Sequence, residues 1–163
     1  MDYNYGAERP KLMRSVTNMS RLTTPNQKIL EILQSAWEGE RENEERIHRL
    51  MSLAKDPLDK ETLRMIYMDE HKHIKYFGDI YQKQSGYVIP KNIRVTQRSI
   101  CWDLCSEFEK MIHKYTDNVE FYRRIYFVFS DQQIRDILFE IITDEINIAI
   151  KMTHMCNKNR EFF

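Results

Sequence analysis

The stretch YMDEHKHIKYF, Tyr67 to Phe77, decides how the rest of the chain is read. Leu63, Ile66, Tyr67, Glu70, His73, Phe77 and Ile80 recur at the three- and four-residue spacing that puts side chains on one helical face. An acid and an imidazole therefore interrupt an otherwise apolar stripe. His71 is turned by about 100° from Glu70 on a helix of about 3.6 residues per turn, so it and Lys72 are expected to face water. One histidine points inward and the other does not.

Working outward, the punctuation leaves room for a few long helices. The 163 residues include only four Gly and four Pro, and no strand-like alternation of any length. Thr24-Pro25-Asn26-Gln27 offers a cap, a proline at the first helical position and a reciprocal Gln, predicting a first helix from Pro25 to Leu53 or Ala54. Asp56-Pro57 starts a second, to about Gln84. The connection GYVIPKNIRV is long enough to run the length of a bundle at about 3.3 Å per extended residue. A third helix is expected from about Gln97 to Phe129. A Ser-x-x-Gln cap at Ser130 opens a fourth, to about Asn157. Residues 1–23 read as a polar N-terminal arm and 24–163 as one domain. The fold class is all-α: a four-helix bundle of two antiparallel hairpins joined by a long crossover.

The two halves resemble each other. A shift of 75 positions lays Asn43 on Asn118, Glu45 on Glu120, Arg49 on Arg124, Asp56 on Asp131, Leu63 on Leu138, Ile66 on Ile141 and Asp69-Glu70 on Asp144-Glu145. This is the signature of a duplicated hairpin. The first helix carries the stripe Ile29, Leu33, Trp37, Glu40, Ile47, Met51. The third carries Leu104, Phe108, Met111, Tyr115, Tyr122, Tyr126, and the fourth Ile134, Leu138, Ile141, Glu145, Ile148, Met152. If the hairpins pack in register, Glu40, Glu70, His73, Tyr115 and Glu145 meet at one level. Buried carboxylates must be protonated, paired or neutralised by a cation. No Lys or Arg lies on these stripes at that level, so a metal ion is the expected compensation. Oxygen donors with one imidazole suit iron, manganese or zinc.

Bulk composition removes other classes. Lys+Arg and Asp+Glu are 25 each, which offers no field for nucleic acid or an anionic membrane. No stretch approaches a membrane span, the opening MDYNYGAERPKLMRSVTNMS has no signal-like apolar run, and three cysteines make no paired framework, so a cytoplasmic protein is expected. Cys101 and Cys105 are one turn apart, and Cys156 is placed to lie beside Cys105. The thiols read as buried apolar residues, with a redox pair as the other reading. Tyr67 and Tyr122 read as packing, and His48, His113 and His154 as surface.

These residues resemble the ferritin-like superfamily, and within it the rubrerythrin-like, di-iron carboxylate branch. AWEGERENEERIHRL and YMDEHKHIKYF are similar to the first half of its motif, IITDEINIAI to the last part. The resemblance implies Glu40, Glu70, His73 and Glu145 as ligands of an iron site, and oxygen or peroxide chemistry: ferrous-iron oxidation or peroxide reduction. It also implies Asp144 as the carboxylate that orients His73. Bundles of this family are commonly dimers, so a homodimer is expected. The second half departs from the pattern, with Tyr115 in place of a Glu and Ile148 in place of a His. Two versions follow: a single ion, or a pair in which Tyr115 binds as phenolate. The alternative function is a metal-free structural or interaction bundle that kept the fold after losing the chemistry.

Overall fold

The computed structural model describes residues 25–90 and 103–160. Four helices account for most of them: α1 (Pro25–Leu53), α2 (Pro57–Ser85), α3 (Leu104–Val128) and α4 (Gln132–Arg160). Their ends follow from local chemistry. The Asp56 carboxylate accepts from Leu58 N and Asp59 N, and Pro57 follows with the fixed φ that a first helical turn needs. At the other end of α2, Gly86 takes φ 77° and returns its N–H to the Gln82 carbonyl, a left-handed cap that a Cβ would oppose.

Two boundaries differ from the sequence expectation. α3 begins at Leu104, not near Gln97, because extended Asp103 (φ −83°, ψ 106°) caps it by accepting from Cys105 N and Ser106 N. α4 is capped by Asp131 rather than Ser130: Ile134 N donates to Asp131 Oδ1 at 3.1 Å. Asp131 is the duplicate of Asp56, so both hairpins cap their second helix with the same residue. The arm, the Thr24 cap, Cys101 and most of the crossover lie outside the described residues.

α1 packs against α2 and α3 against α4, with α1 on α3 and α2 on α4 closing the bundle. One apolar cluster joins the end of α1 (Ile47, Leu50) and start of α2 (Leu63, Ile66) to the start of α3 (Phe108, Met111) and end of α4 (Met152, Met155). The other joins Leu33, Phe77, Ile80, Tyr122, Ile125 and Leu138 at the opposite end. Hence α2 and α3 run in the same direction, as a connection along the length of the bundle requires. Each fully buried Leu, Ile or Phe contributes about 1.5–3 kcal/mol relative to exposure.

Burial reproduces the duplication. Leu33, Ala36, Glu40, Asn43, Ile47, Leu50 and Ala54 are buried, and the 75-residue shift lands them on Phe108, Met111, Tyr115, Asn118, Tyr122, Ile125 and Phe129, all buried. Asp59, Leu63, Ile66, Glu70, His73, Phe77 and Ile80 land on Ile134, Leu138, Ile141, Glu145, Ile148, Met152 and Met155, again all buried. The α1 stripe is adjusted by this register. Ala36 and Leu50 occupy the core, whereas Trp37 and Met51 sit half-buried at its edge. There the Arg41 guanidinium stacks over the Trp37 ring at 5.1 Å. Among the described residues, no helix is long and apolar enough to cross a membrane.

Candidate metal centre

Glu40 on α1, Glu70 and His73 on α2, and Glu145 on α4 are fully buried in the layer between the two apolar clusters. One ligand atom from each lies within 4.8 Å of all the others. Donors about 2.0–2.2 Å from a common ion lie roughly 3–4.4 Å apart, so the group needs only slight closure to hold one.

The contacts of these residues divide their atoms into two sets. Facing outward, Glu70 Oε1 accepts from the Tyr115 hydroxyl at 2.6 Å and Glu145 Oε2 from Asn118 Nδ2 at 2.9 Å. Glu40 Oε1 accepts from the Tyr122 hydroxyl. His73 Nε2 donates to Asp144 Oδ2 at 3.2 Å. Facing inward, Glu40 Oε2, Glu70 Oε2, Glu145 Oε1 and His73 Nδ1 have no hydrogen-bond partner. His73 Nδ1 lies 3.4 Å from both Glu40 Oε2 and Glu145 Oε1, without the alignment of a hydrogen bond. Buried polar atoms are rarely left so, and four in one buried group could together hold a cation.

The other buried acids show the contrast. Glu107 pairs with Arg46 at 3.2 Å and Lys110 at 2.7 Å. Asp59 pairs with Lys158 and Asn159, each at 3.0 Å. Near the bundle end the protein supplies its own cations. At the central layer it supplies one imidazole to three carboxylates.

Protons carry the compensation when no ion does. Burial, reinforced by the charges of Glu40 and Glu145, holds the Glu70 carboxyl well above its ordinary range. Burial, then the Glu40 charge, pushes Glu145 up to about 7. Burial opposes the charge on His73, but its hydrogen bond to Asp144 and the Glu145 and Glu40 carboxylates close beside its other nitrogen outweigh it and raise the imidazole to about 12. Burial also opposes the Glu40 carboxylate, yet His73 and Glu70 bring it below its ordinary value. Tyr115 and Tyr122 are both held well above 10 by burial and by the carboxylates they face, so each remains a neutral donor in the metal-free protein.

All five site residues expected from sequence meet at this layer. The Asp144 contact to His73 is present as well. Three features were not anticipated. Tyr122 packs its ring on Phe77 with centroids 5.0 Å apart, yet its hydroxyl serves Glu40. Asn118 was matched to Asn43 by the duplication but given no role; a polar residue on a buried stripe was the available signal. Lys72 does not simply face water: only one-third exposed, it reaches Asp144 at 2.7 Å and Glu140 at 3.0 Å. His71 is exposed as expected and meets Glu44 at 2.8 Å. No family model, curated protein or solved structure matches this chain.

Proposed function

We propose that the chain is a metal-binding bundle of ferritin-like, rubrerythrin-like character that holds one ion of iron or manganese. The ligands are Glu40 Oε2, Glu70 Oε2, Glu145 Oε1 and His73 Nδ1. The observation that carries this reading is that these four inward atoms are buried without partners while each residue's other polar atom is engaged.

In this reading α3 supplies support rather than ligands. Tyr115 occupies the place of the second half's Glu and spends its hydroxyl on Glu70, so the second metal position is closed. Asn118 and Tyr122 fix Glu145 and Glu40 in the same manner. Asp144 holds the proton of His73 on Nε2, which leaves Nδ1 free to ligate, and Lys72 steadies Asp144 from outside. Three carboxylates balance a ferric charge, and four ligands leave further positions open on an ion that takes six. Iron bound there would supply one-electron chemistry toward oxygen or peroxide, with ferrous oxidation or peroxide reduction as the activity. The chain's own part is to exclude bulk water and keep the four donors converged.

Metal content per chain is the test, measured by plasma mass spectrometry after anaerobic reconstitution with Fe(II), Mn(II) or Zn(II) and desalting. About one iron or manganese per chain is the expected result, lost in Glu70→Ala. Two would bring Tyr115 in as a ligand. Metal at background would leave the metal-free structural bundle, its inward acids held by protons. Thermal stability should rise with added Fe(II) by about 2.7 kcal/mol at a hundredfold excess over Kd.

A further inference from the structure

At the end of the bundle away from Tyr122, the first turn of α3 meets the last turns of α4. Cys105 is half-buried there and Cys156 is buried. Their sulfurs lie 2.8 Å apart. Each sulfur also approaches the other residue's carbonyl oxygen, Cys105 Sγ at 3.6 Å and Cys156 Sγ at 3.7 Å, so the two residues face each other squarely. Arg160 Nε donates to Cys105 Sγ at 3.2 Å, and the same guanidinium is ion-paired with Glu109.

We propose that Cys105 and Cys156 form a reversible disulfide, by exchange with a small-molecule disulfide of the glutathione class, which staples the start of α3 to the end of α4. Exposure and charge set the order of events. Cys105 is the sulfur open to solvent, and Arg160 places a positive charge against it where an attacking thiolate carries negative charge. The Cys105 thiolate attacks one sulfur of the incoming disulfide, a mixed S–S bond forms, and the first small thiolate leaves. Cys156, deprotonated as it attacks, then bonds to Cys105 Sγ and expels the second small thiolate, which takes up the proton. Two protein thiols are oxidised by two electrons and one small disulfide is reduced to two thiols. Burial and the neighbouring Cys105 push Cys156 up to about 12, which suits a thiol that stays inert until its partner is engaged.

A metal at this spot is the competing use, because Glu109 stands within reach of both sulfurs. Arg160 already occupies that carboxylate and one of the sulfurs, which leaves no cluster of free donors. The staple has no counterpart in the first hairpin, where the duplicate positions hold Leu30 and Tyr81. It closes a loop of 51 positions around the second hairpin alone.

The test uses the full chain carrying Cys101→Ser, equilibrated in glutathione buffers from fully reduced to fully oxidised, trapped by alkylation and mapped by mass spectrometry. The expected product is a single intramolecular Cys105–Cys156 link, two hydrogens lighter, reversed by reduced glutathione and melting at higher temperature than the dithiol. Cys156→Ser should stop at glutathione on Cys105, and Arg160→Gln should slow exchange several-fold while the fold, read by circular dichroism, is unchanged. Thiols that stay alkylatable at the oxidising end, links only between chains, or an unresolved mixed disulfide in the Cys101→Ser protein would each overturn the proposal. So would Zn(II) that protects both thiols and is lost in Glu109→Gln.

Discussion

At matching depths the first hairpin places Glu40, Ile47 and His73 where the second places Tyr115, Tyr122 and Ile148. Asn43 and Glu70 correspond to Asn118 and Glu145. One backbone plan thus carries two chemistries. The first hairpin offers three of the four unsatisfied inward atoms, and the second offers three donors that satisfy the outward ones. Duplication preserves where side chains are buried, and divergence has redistributed which half offers unsatisfied inward atoms and which half holds their residues in place.

The largest effect should come from making the first hairpin copy the second. Among the described residues His73 is the one cation facing Glu40, Glu70 and Glu145; His73→Ile removes it, and breaking such a pair costs about 3–5 kcal/mol. Urea unfolding of the metal-free protein should show that loss, and added Fe(II) should no longer raise the melting temperature. Next comes Tyr122→Phe, which keeps the ring on Phe77 but orphans Glu40 Oε1. A buried acceptor left so costs about 1–3 kcal/mol, whereas Ile47→Val at the duplicate position should cost about 0.5–1.5 kcal/mol.

Asp144→Asn tests the histidine's support without touching any of the four proposed ligands. Metal affinity by titration should fall about 10–100-fold, with the fold intact. Asn118→Leu against Asn43→Leu sharpens the same contrast. Asn118 serves Glu145, while Asn43 Nδ2 has no partner among the described residues, so the first substitution should destabilise and the second should be the mildest of this set.

The smallest effect is a pH dependence whose sign distinguishes neighbours. Glu145, raised from 4.5 to about 7 chiefly by burial, favours the folded state in its protonated form. Its contribution is present below 4.5 and is lost as pH rises through 7. Asp144, lowered from 3.8 to about 2 by its bonds to His73 and Lys72, contributes above 3.8 and loses that contribution as pH falls through 2. Melting curves of metal-free protein should therefore decline between pH 4.5 and 7. Metal affinity should rise over the same window as protons leave the ligands.

Much of this was legible in the sequence because helices announce themselves by spacing. Glu40, Glu70, His73 and Glu145 stood out as charges on apolar stripes, and their convergence followed from register. Tyr122 was hidden because its ring does pack, and sequence cannot show where a hydroxyl points. Lys72 was misjudged because a long side chain can leave its own face to reach a carboxylate on another helix. The α4 cap went to Ser130 because Ser-x-x-Gln fits a capping pattern, although the duplication already paired Asp131 with Asp56. The contact of Cys156 with Cys105 was foreseen from antiparallel packing, but the Arg160 guanidinium at that sulfur was not.

Three of the four proposed ligands belong to one hairpin and Glu145 alone to the other. Each hairpin is a local structure, closed by a short turn, and can form early and fast. The four donors meet only when the two hairpins dock, the event with the longest sequence separations. An ion captured at that layer stabilises contacts made late in folding, so it should slow unfolding far more than it speeds folding. The bundle's lifetime, rather than its rate of assembly, is where the metal would be felt.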